Sequence, residues 1–229
     1  MNGLSDKLYA WPERARVNRR LPKETLIQNA KIARIRITPT IRAALTAELD
    51  RITITHQLAP QSVNLPARAG VEDILIIELR QKSNELSEKL LHWIDRTLPR
   101  ATIFECKKPD GQVQMVMAHK RPSGADKGKW VIGTYHVGKW YSGARESLPV
   151  STHLLELYSK VLRGLLPRTA LKGESLEDHL ARCETISALE KNRERLESKI
   201  VKEQQMNRRV ALNDEVKTVK AELILLEGE

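Results

Sequence analysis

The chain has 229 residues and carries 39 Lys and Arg side chains against 29 Asp and Glu, a formal net charge of +10 at pH 7. This excess of cations favours polyanionic partners, nucleic acid above all. Only 4% of the residues are aromatic, which argues against the class of single-strand binders that stack bases on aromatic side chains.

The first sixty residues predict two helices and one strand. Pro22 favours the first turn of a helix that continues over residues 23–30. Thr38 is a predicted N-cap before Pro39, and apolar residues follow at helical spacing. Residues 51–58, RITITHQL, alternate apolar and polar side chains as a half-buried strand does.

Residues 71–142 predict the centre of a sheet. VEDILIIELRQ, residues 71–81, is a continuous apolar run typical of a strand covered on both faces. An amphipathic helix follows, capped by Ser83 and stopped by Pro99. Two strands then flank a Pro-Asp-Gly turn at residues 109–111, and a further strand bends at Gly138.

These elements, with a helix that ends at Pro167, predict a basic mixed α/β domain over residues 1–173, a mixed sheet with flanking helices. Residues 174–229 differ in kind. They hold ten basic and thirteen acidic side chains, a net charge of −3, which leaves +10 − (−3) = +13 for residues 1–173. We therefore expect two domains with separate roles.

The tail, residues 174–229, predicts a long helical or coiled-coil segment, because Pro and Gly are absent from Leu176 to Leu226. Apolar residues near its end repeat at spacings of 4, 3, 4 and 3 and predict a partner-binding seam: Leu212, Val216, Val219, Leu223 and Leu226. An earlier seam that ends at Ile200 is out of register with this one. The tail is therefore either one helix with a stutter or an antiparallel hairpin.

Glu105 and Lys107 form a Glu-x-Lys pair on a predicted strand, and Glu78 lies on an earlier strand. Two carboxylates and a lysine are the residues with which a Mg²⁺-dependent nuclease holds its metal and activates water. Short Glu-x-Lys matches are frequent in a chain with 30% charged residues, so a solvated, exposed strand edge is the simpler interpretation.

Other catalytic and metal-binding patterns are missing from the sequence. His179 and Cys183 have helical i, i+4 spacing, but two ligands do not make a zinc site. The chain has no phosphate-binding GxxxxGK[ST] or GxGxxG and no nucleophile motif GxSxG. We expect no cofactor and no metal. Cys106 and Cys183 form no CxxC pair and no apolar run approaches membrane-spanning length, so we expect a reduced, cytoplasmic protein without membrane attachment.

Basic residues cluster before the first helix and around the predicted hairpin. Clustered point charges without aromatics suit contact with a phosphate backbone. The predicted nucleic-acid-binding residues are Arg14, Arg16, Arg19, Arg20, Lys23, Lys107, Lys108, Lys120 and Arg121.

Several segments, in order, resemble an uncharacterised bacterial family, domain of unknown function 4391: VNRRLPKETL, RITITHQLAPQSVNL, LPRATIFE, MVMAHKR, GKWYS and KEQQMNRRVALNDEVKTVKAEL. Positions that match the family include Asn18, Arg19, Asn64, Lys120 and Asn213. The resemblance implies genes encoded beside DNA methyltransferases and helicases of restriction or phage-defence clusters, and it brings no catalytic residues with it.

Together these observations predict a non-enzymatic accessory subunit of a bacterial restriction-modification or anti-phage defence complex. Its front would bind a partner and the DNA backbone, and its tail would pair with itself or dock on a helicase or methyltransferase subunit. The alternatives are a Mg²⁺-dependent nuclease that uses Glu78, Glu105 and Lys107, and a DNA-binding protein without a protein partner.

Overall fold

The computed structural model describes residues 8–84, 86–125 and 129–227. The chain forms two compact units, one that ends at Leu165 and one that begins at Leu166, earlier than the predicted boundary at residue 173. A mixed α/β unit followed by a long helical region confirms the predicted fold class. In the described ranges, no helix combines the length and apolarity that crossing a bilayer requires.

The front unit is built on a six-stranded sheet, as far as the described residues show, with its strands in chain order. The strands are β1 (Arg16–Arg20), β2 (Leu49–Leu58), β3 (Ile74–Gln81), β4 (Ala101–Lys107), β5 (Val113–Pro122) and β6 (Trp130–Val137). β3 and β4 are parallel, and every other neighbouring pair is antiparallel. The sequence did not predict β1, which pairs with β2 at the sheet edge.

Seven helices occur in the part of the chain that the structure describes: α1 (Lys23–Ile32), α2 (Pro39–Ala47), α3 (Pro60–Val63), α4 (Glu88–Arg96), α5 (Leu154–Arg163), α6 (Leu176–Lys202) and α7 (Met206–Glu227). The predicted Thr38 cap is confirmed, since its hydroxyl accepts the Ile41 N–H at 3.3 Å. Pro22 is the N-cap of α1 rather than its first helical residue. The predicted Ser83 cap is wrong, because α4 begins later, after Ser87.

The two faces of the sheet have different surroundings. Leu75, Ile77 and Leu79 of β3 lie in a core shared with α1, α2 and α4, which defines the helix-covered face. Alternation along the strand places Glu78 and Arg80 on the opposite face, called here the second face. At the start of β3 both faces of the strand are buried, because Ile74 and Ile76 of the second face are buried as well. At its end the second face is open, since Arg80 is exposed.

α6 and α7 form an antiparallel hairpin. Residues 203–205 join them, and Arg182 near the start of α6 donates to the carbonyl of Leu226 near the end of α7 at 3.2 Å. Val216, Val219 and Leu223 are buried against α6 residues, with Leu212 and Leu226 partly buried beside them. The predicted partner-binding role of this seam is therefore corrected: α6 of the same chain already covers it.

Candidate nucleic-acid interface

The three residues of the nuclease hypothesis do come together on the second face. Glu78 and Glu105 are directly opposite each other on the parallel strands β3 and β4. Lys107 lies two residues after Glu105 and its ammonium is 4.0 Å from a Glu78 carboxylate oxygen. The expectation of an exposed strand edge is wrong, because β4 is an interior strand and Glu105 is only 5% exposed.

Both carboxylate oxygens of Glu105 are occupied by side chains of the chain itself. Arg145, in the segment after β6, donates from Nη1 to Oε1 at 2.5 Å and from Nη2 to Oε2 at 2.9 Å. Trp11 adds an indole N–H donated to Oε1 at 2.7 Å. Hydrogen bonding to Glu105 raises the pKa of the Arg145 guanidinium, so this partly buried ion pair stays charged. No sequence motif marks Arg145 or Trp11, and reasoning from the sequence missed both.

This arrangement leaves Glu105 without a free oxygen for a metal ion. A divalent cation would have to displace the bidentate Arg145 contact, which supplies the positive charge at that point. Among the described residues, no three His, Cys, Asp or Glu side chains converge in a metal-binding group. The Glu105 cluster therefore acts first as an internal brace, which ties the N-terminal segment and the segment after β6 to the central strand.

His56 of β2 lies beside this cluster. Burial lowers the pKa of its imidazole, an effect that Glu105 opposes and Arg16 reinforces. Its Nδ1 is buried and has no hydrogen-bond partner in the structure. At neutral pH His56 is uncharged, so it adds no positive charge to the second face.

A row of cations crosses the second face at the carboxyl ends of β3 and β4. Arg51 of β2 is directly opposite Arg80 of β3, and Arg80 is directly opposite Lys107 of β4. Neighbouring strands lie about 4.8 Å apart, and like charges placed directly opposite one another destabilise a sheet. Arg51 and Arg80 are exposed, and neither forms an ion pair with any described residue.

A basic depression continues from this row towards β1. Arg51 shares a depression of about 420 Å³ with Arg20 and Lys23, at the start of α1, and these three cations outnumber the two carboxylates that also line it, Glu24 and Asp50. Arg20 and Arg19 also line a neighbouring groove of about 600 Å³ along α1. We call this set of six the cation track: Arg19, Arg20, Lys23, Arg51, Arg80 and Lys107. It reaches around the edge strand β1, because Arg20 pairs with Thr53 on the second face whereas Arg19 pairs with Ile54 of the helix-covered core. Sequence reasoning missed Arg51 and Arg80, because they are adjacent only through strand pairing.

Lys120 is a clear correction to the predicted nucleic-acid-binding set. It is 2% exposed, and its ammonium donates to the Asp95 carboxylate at 2.5 Å and to the carbonyls of Asp95 and Leu98. Burial lowers its pKa, which the Asp95 carboxylate opposes. An ammonium enclosed in this way has no access to a phosphate.

The other predicted cations are dispersed. Arg16 pairs with the exposed Glu13 at 3.0 Å, and Arg14 precedes it in a 3-10 turn. Lys108 stacks over the Trp140 ring, 4.0 Å from its centre. Arg121 is exposed near the end of β5, whereas Lys107 of the cation track pairs with Val113 at the start of that strand. The nine predicted residues thus do not form a single patch, and four of them lie in the cation track.

Comparison with known proteins adds one match. Residues 10–223 match the family described as domain of unknown function 4391 (DUF4391). This chain belongs to the DUF4391 family. No curated protein and no solved structure matches it. The order of short motifs noted in the sequence therefore identified the family correctly, whereas the genomic setting that the resemblance implies stays a prediction.

The structure assigns fold roles to several positions that match the DUF4391 pattern. Asn18 has a φ of +43° at the irregularity between Arg16 and Arg19 of β1, and Asn64 has a φ of +55° at the end of α3. Asparagine tolerates this left-handed region better than most residues do. Asn213 is exposed, and its amide donates to the Arg209 carbonyl one turn earlier.

Proposed function

We propose that this chain is a non-catalytic accessory subunit that binds the phosphate backbone of DNA along the cation track. It would serve a bacterial restriction-modification or anti-phage defence complex, the setting that the family resemblance implies. The observation that carries the proposal is the in-register row Arg51–Arg80–Lys107, continuous with the depression that holds Arg20 and Lys23.

The row Arg51–Arg80–Lys107 destabilises the folded sheet unless an anion compensates its charge, and this favours a polyanionic ligand. Arg51 and Arg80 face each other across one strand spacing with no carboxylate partner in the described chain, and mutual repulsion disfavours that placement. A phosphate group between them removes the repulsion, and condensed counterions released from DNA add a favourable entropy. Glu78 partly neutralises Lys107, so we expect the arginines to dominate.

Duplex DNA fits this surface better than single strands do. The track supplies charge and guanidinium donors but contains no aromatic side chain on which a base could stack. Contacts of this kind fix the position of a backbone and carry little sequence information. We therefore expect binding that is steep in salt and nearly indifferent to sequence.

A salt titration tests this proposal. If all six side chains contact phosphates, a plot of log K against log salt for a short duplex has a slope of about −5, from roughly −0.9 per phosphate. Arg80→Ala should reduce the magnitude of the slope by about 1. The measurement is fluorescence anisotropy of a labelled duplex at several salt concentrations.

The matched control is Arg42→Ala. Arg42 is exposed on α2 and lies outside the cation track. Arg42→Ala removes one positive charge, as Arg80→Ala does, so the comparison separates the loss of a local phosphate contact from a general effect of net charge. Equal losses in the Arg80 and Arg42 variants would contradict the track as the binding site, and binding insensitive to salt would contradict backbone contact altogether.

The proposed protein partner is a helicase or DNA methyltransferase subunit, and the hairpin offers it a surface. Near the turn between α6 and α7, three apolar side chains are exposed: Val201 at 86%, Met206 at 70% and Val210 at 49%. Because α6 covers the original seam, these residues replace it as the proposed contact. Exposed apolar side chains that cluster in this way are typical of interaction surfaces.

Co-purification tests the partner. The full chain should retain a co-expressed helicase or methyltransferase, and substitution of Val201, Met206 and Val210 by Ser should abolish retention without unfolding the hairpin. The control replaces the exposed Ile224 and Leu225, at the other end of α7, by Ser. Retention by the first variant would exclude the turn region as the contact.

A Mg²⁺-dependent nuclease is the second candidate function, and the opposition of Glu78 and Glu105 on parallel strands favours it. Glu78→Gln distinguishes the two functions, because it removes a candidate metal-binding carboxylate but no cation of the track. Cleavage of plasmid DNA with Mg²⁺ that this variant abolishes would support the nuclease. Since Glu78 partly neutralises Lys107, DNA binding that is unchanged or stronger in this variant, without cleavage by the unaltered chain, would support the accessory subunit.

A further inference from the structure

A cavity of about 590 Å³ opens on the helix-covered face, near the carboxyl ends of β3 and β4. Gln81 is the last residue of β3 and Cys106 the last but one of β4, and Val116, Tyr135 and Trp140 supply apolar and aromatic walls. We call it the Gln81 cavity. It lies on the other face of the sheet from Arg80 and Lys107, so it is separate from the row of cations.

Gln81 lines this cavity and carries an unused acceptor. The residue is only 4% exposed, and its Oε1 is buried without a hydrogen-bond partner. Folded proteins seldom retain a buried polar atom that is left unpaired. Rotation of the amide about its Cγ–Cδ bond would turn this oxygen towards the cavity, where a ligand that donates an N–H or O–H would satisfy it.

The walls indicate that this ligand is uncharged. Burial raises the pKa of the Cys106 thiol to about 12, so at neutral pH the sulfur carries no charge and acts as a small apolar group. Glu48 and Glu88 lie at the rim, and one Glu48 oxygen accepts the Ser87 N–H at 2.7 Å. Lys108 stacks over the Trp140 wall, 4.0 Å from its centre, so the two carboxylates outnumber the one nearby cation, and this balance disfavours a phosphate-bearing molecule.

We propose that the Gln81 cavity binds a small uncharged heteroaromatic molecule of nucleobase or nucleoside size. Its ring packs against Trp140 and Val116, and a ring or exocyclic N–H donates to Gln81 Oε1. Amide side chains recognise heteroaromatic edges through such hydrogen bonds. This site does not depend on DNA binding by the cation track.

Calorimetry with the full-length protein tests the proposal. The probes are adenosine, guanosine, cytidine and uridine, with adenosine 5′-monophosphate and its relatives as charged counterparts. At least one nucleoside should bind in the millimolar range or tighter, and its monophosphate about tenfold more weakly. Absence of binding by all four nucleosides, or tighter binding of the monophosphates, would overturn the assignment.

Gln81→Leu removes the acceptor but keeps the shape, and it should weaken nucleoside binding by at least about tenfold. The control is Gln114→Leu, because Gln114 also lines the cavity but already donates its amide to the Gly138 carbonyl at 2.8 Å. Equal weakening in both variants would refute the specific role of Gln81.

A footprint on the unaltered protein makes the test independent of variant folding. Cys106 lines the cavity, whereas Cys183 lies in the other unit, and both are buried free thiols. Both thiols react slowly with iodoacetamide because they are buried and protonated, so labelling is followed over hours by mass spectrometry. A bound nucleoside should slow labelling of Cys106 severalfold further and leave the rate at Cys183 unchanged. Equal rates at Cys106 with and without the bound nucleoside would place that ligand elsewhere.

Discussion

At the scale of single residues, burial separates cations that the sequence presents as equivalent. Lys120 and Arg121 are neighbours on β5, yet Lys120 is enclosed by α4 and Arg121 is exposed. Asp95 holds the Lys120 side chain in the interior, because its carboxylate accepts hydrogen bonds from the Lys120 ammonium and, at 2.9 Å, from the Tyr135 hydroxyl. A basic sequence gives no sign of this pairing, because the partner lies 25 residues away on another element.

Lys120→Met should destabilise the front unit strongly. It leaves the Asp95 carboxylate buried without its cation, a change that typically costs about 3–5 kcal/mol. The free energy of unfolding in urea is the measurement. Arg121→Ala, an exposed neighbour, should stay within about 0.5 kcal/mol of the unaltered chain. Similar effects of the two substitutions would show that the Lys120–Asp95 pair is not a buried brace.

A second residue-scale prediction concerns acid stability of the helical unit. Arg182 donates from Nε to Glu174 Oε1 at 2.6 Å and from Nη2 to Oε2 at 2.9 Å. These bonds lower the pKa of Glu174 from 4.5 to about 2. Because the folded pKa lies below the unfolded one, the stabilisation is present above pH 4.5 and is lost as the pH falls towards 2.

Thermal unfolding, monitored by circular dichroism between pH 6 and about pH 2, tests this acid-dependent loss of stability. The melting temperature of the unaltered chain should fall through that range, and Glu174→Gln should flatten the part of the fall due to this ion pair. Glu194→Gln, an exposed position on α6, should leave the profile unchanged. A profile of Glu174→Gln that parallels the unaltered chain would contradict the pairing.

At the scale of elements, the sequence predicted those with strong periodicity and missed those that depend on pairing. The apolar run of β3 predicted a strand and the heptad spacing of α7 predicted a helix, and both elements are present. β1, with the sequence RVNRR, has a single apolar residue and is exposed throughout, so backbone pairing with β2 alone defines it. The seam on α7 was correctly recognised, but periodicity cannot tell whether its partner belongs to the same chain.

Leu223→Ala should destabilise the helical hairpin by about 2–5 kcal/mol, because it opens a cavity against α6. Leu225→Ala is a control of the same chemistry two residues away, at a side chain that is 80% exposed. It should change the free energy of unfolding by less than about 0.5 kcal/mol. Chemical denaturation followed by helical circular dichroism measures both. Equal effects would mean that the seam is not enclosed as described.

At the scale of the whole molecule, the cation track and the proposed apolar contact lie in different parts of the chain. Residues 1–173 carry a net charge of +13 and contain the entire cation track, whereas residues 174–229 carry −3. The exposed residues Val201, Met206 and Val210 lie in the acidic part. Composition alone predicted the division of charge. The track itself was only partly predictable, because the opposition of Arg51, Arg80 and Lys107 arises from strand register rather than from sequence spacing.

This division predicts that removal of residues 174–229 leaves the salt dependence of DNA binding unchanged. The removed segment contributes no side chain to the cation track, and its net charge of −3 opposes binding, so affinity should stay the same or rise. The truncated chain and the full chain are compared by duplex anisotropy over the same salt range, with circular dichroism to verify that the front unit is folded. Parallel slopes are expected. A folded truncated chain with half the slope of the full chain would move the DNA contacts to the hairpin, whose Arg208 and Arg209 near the turn would then be the cations to replace.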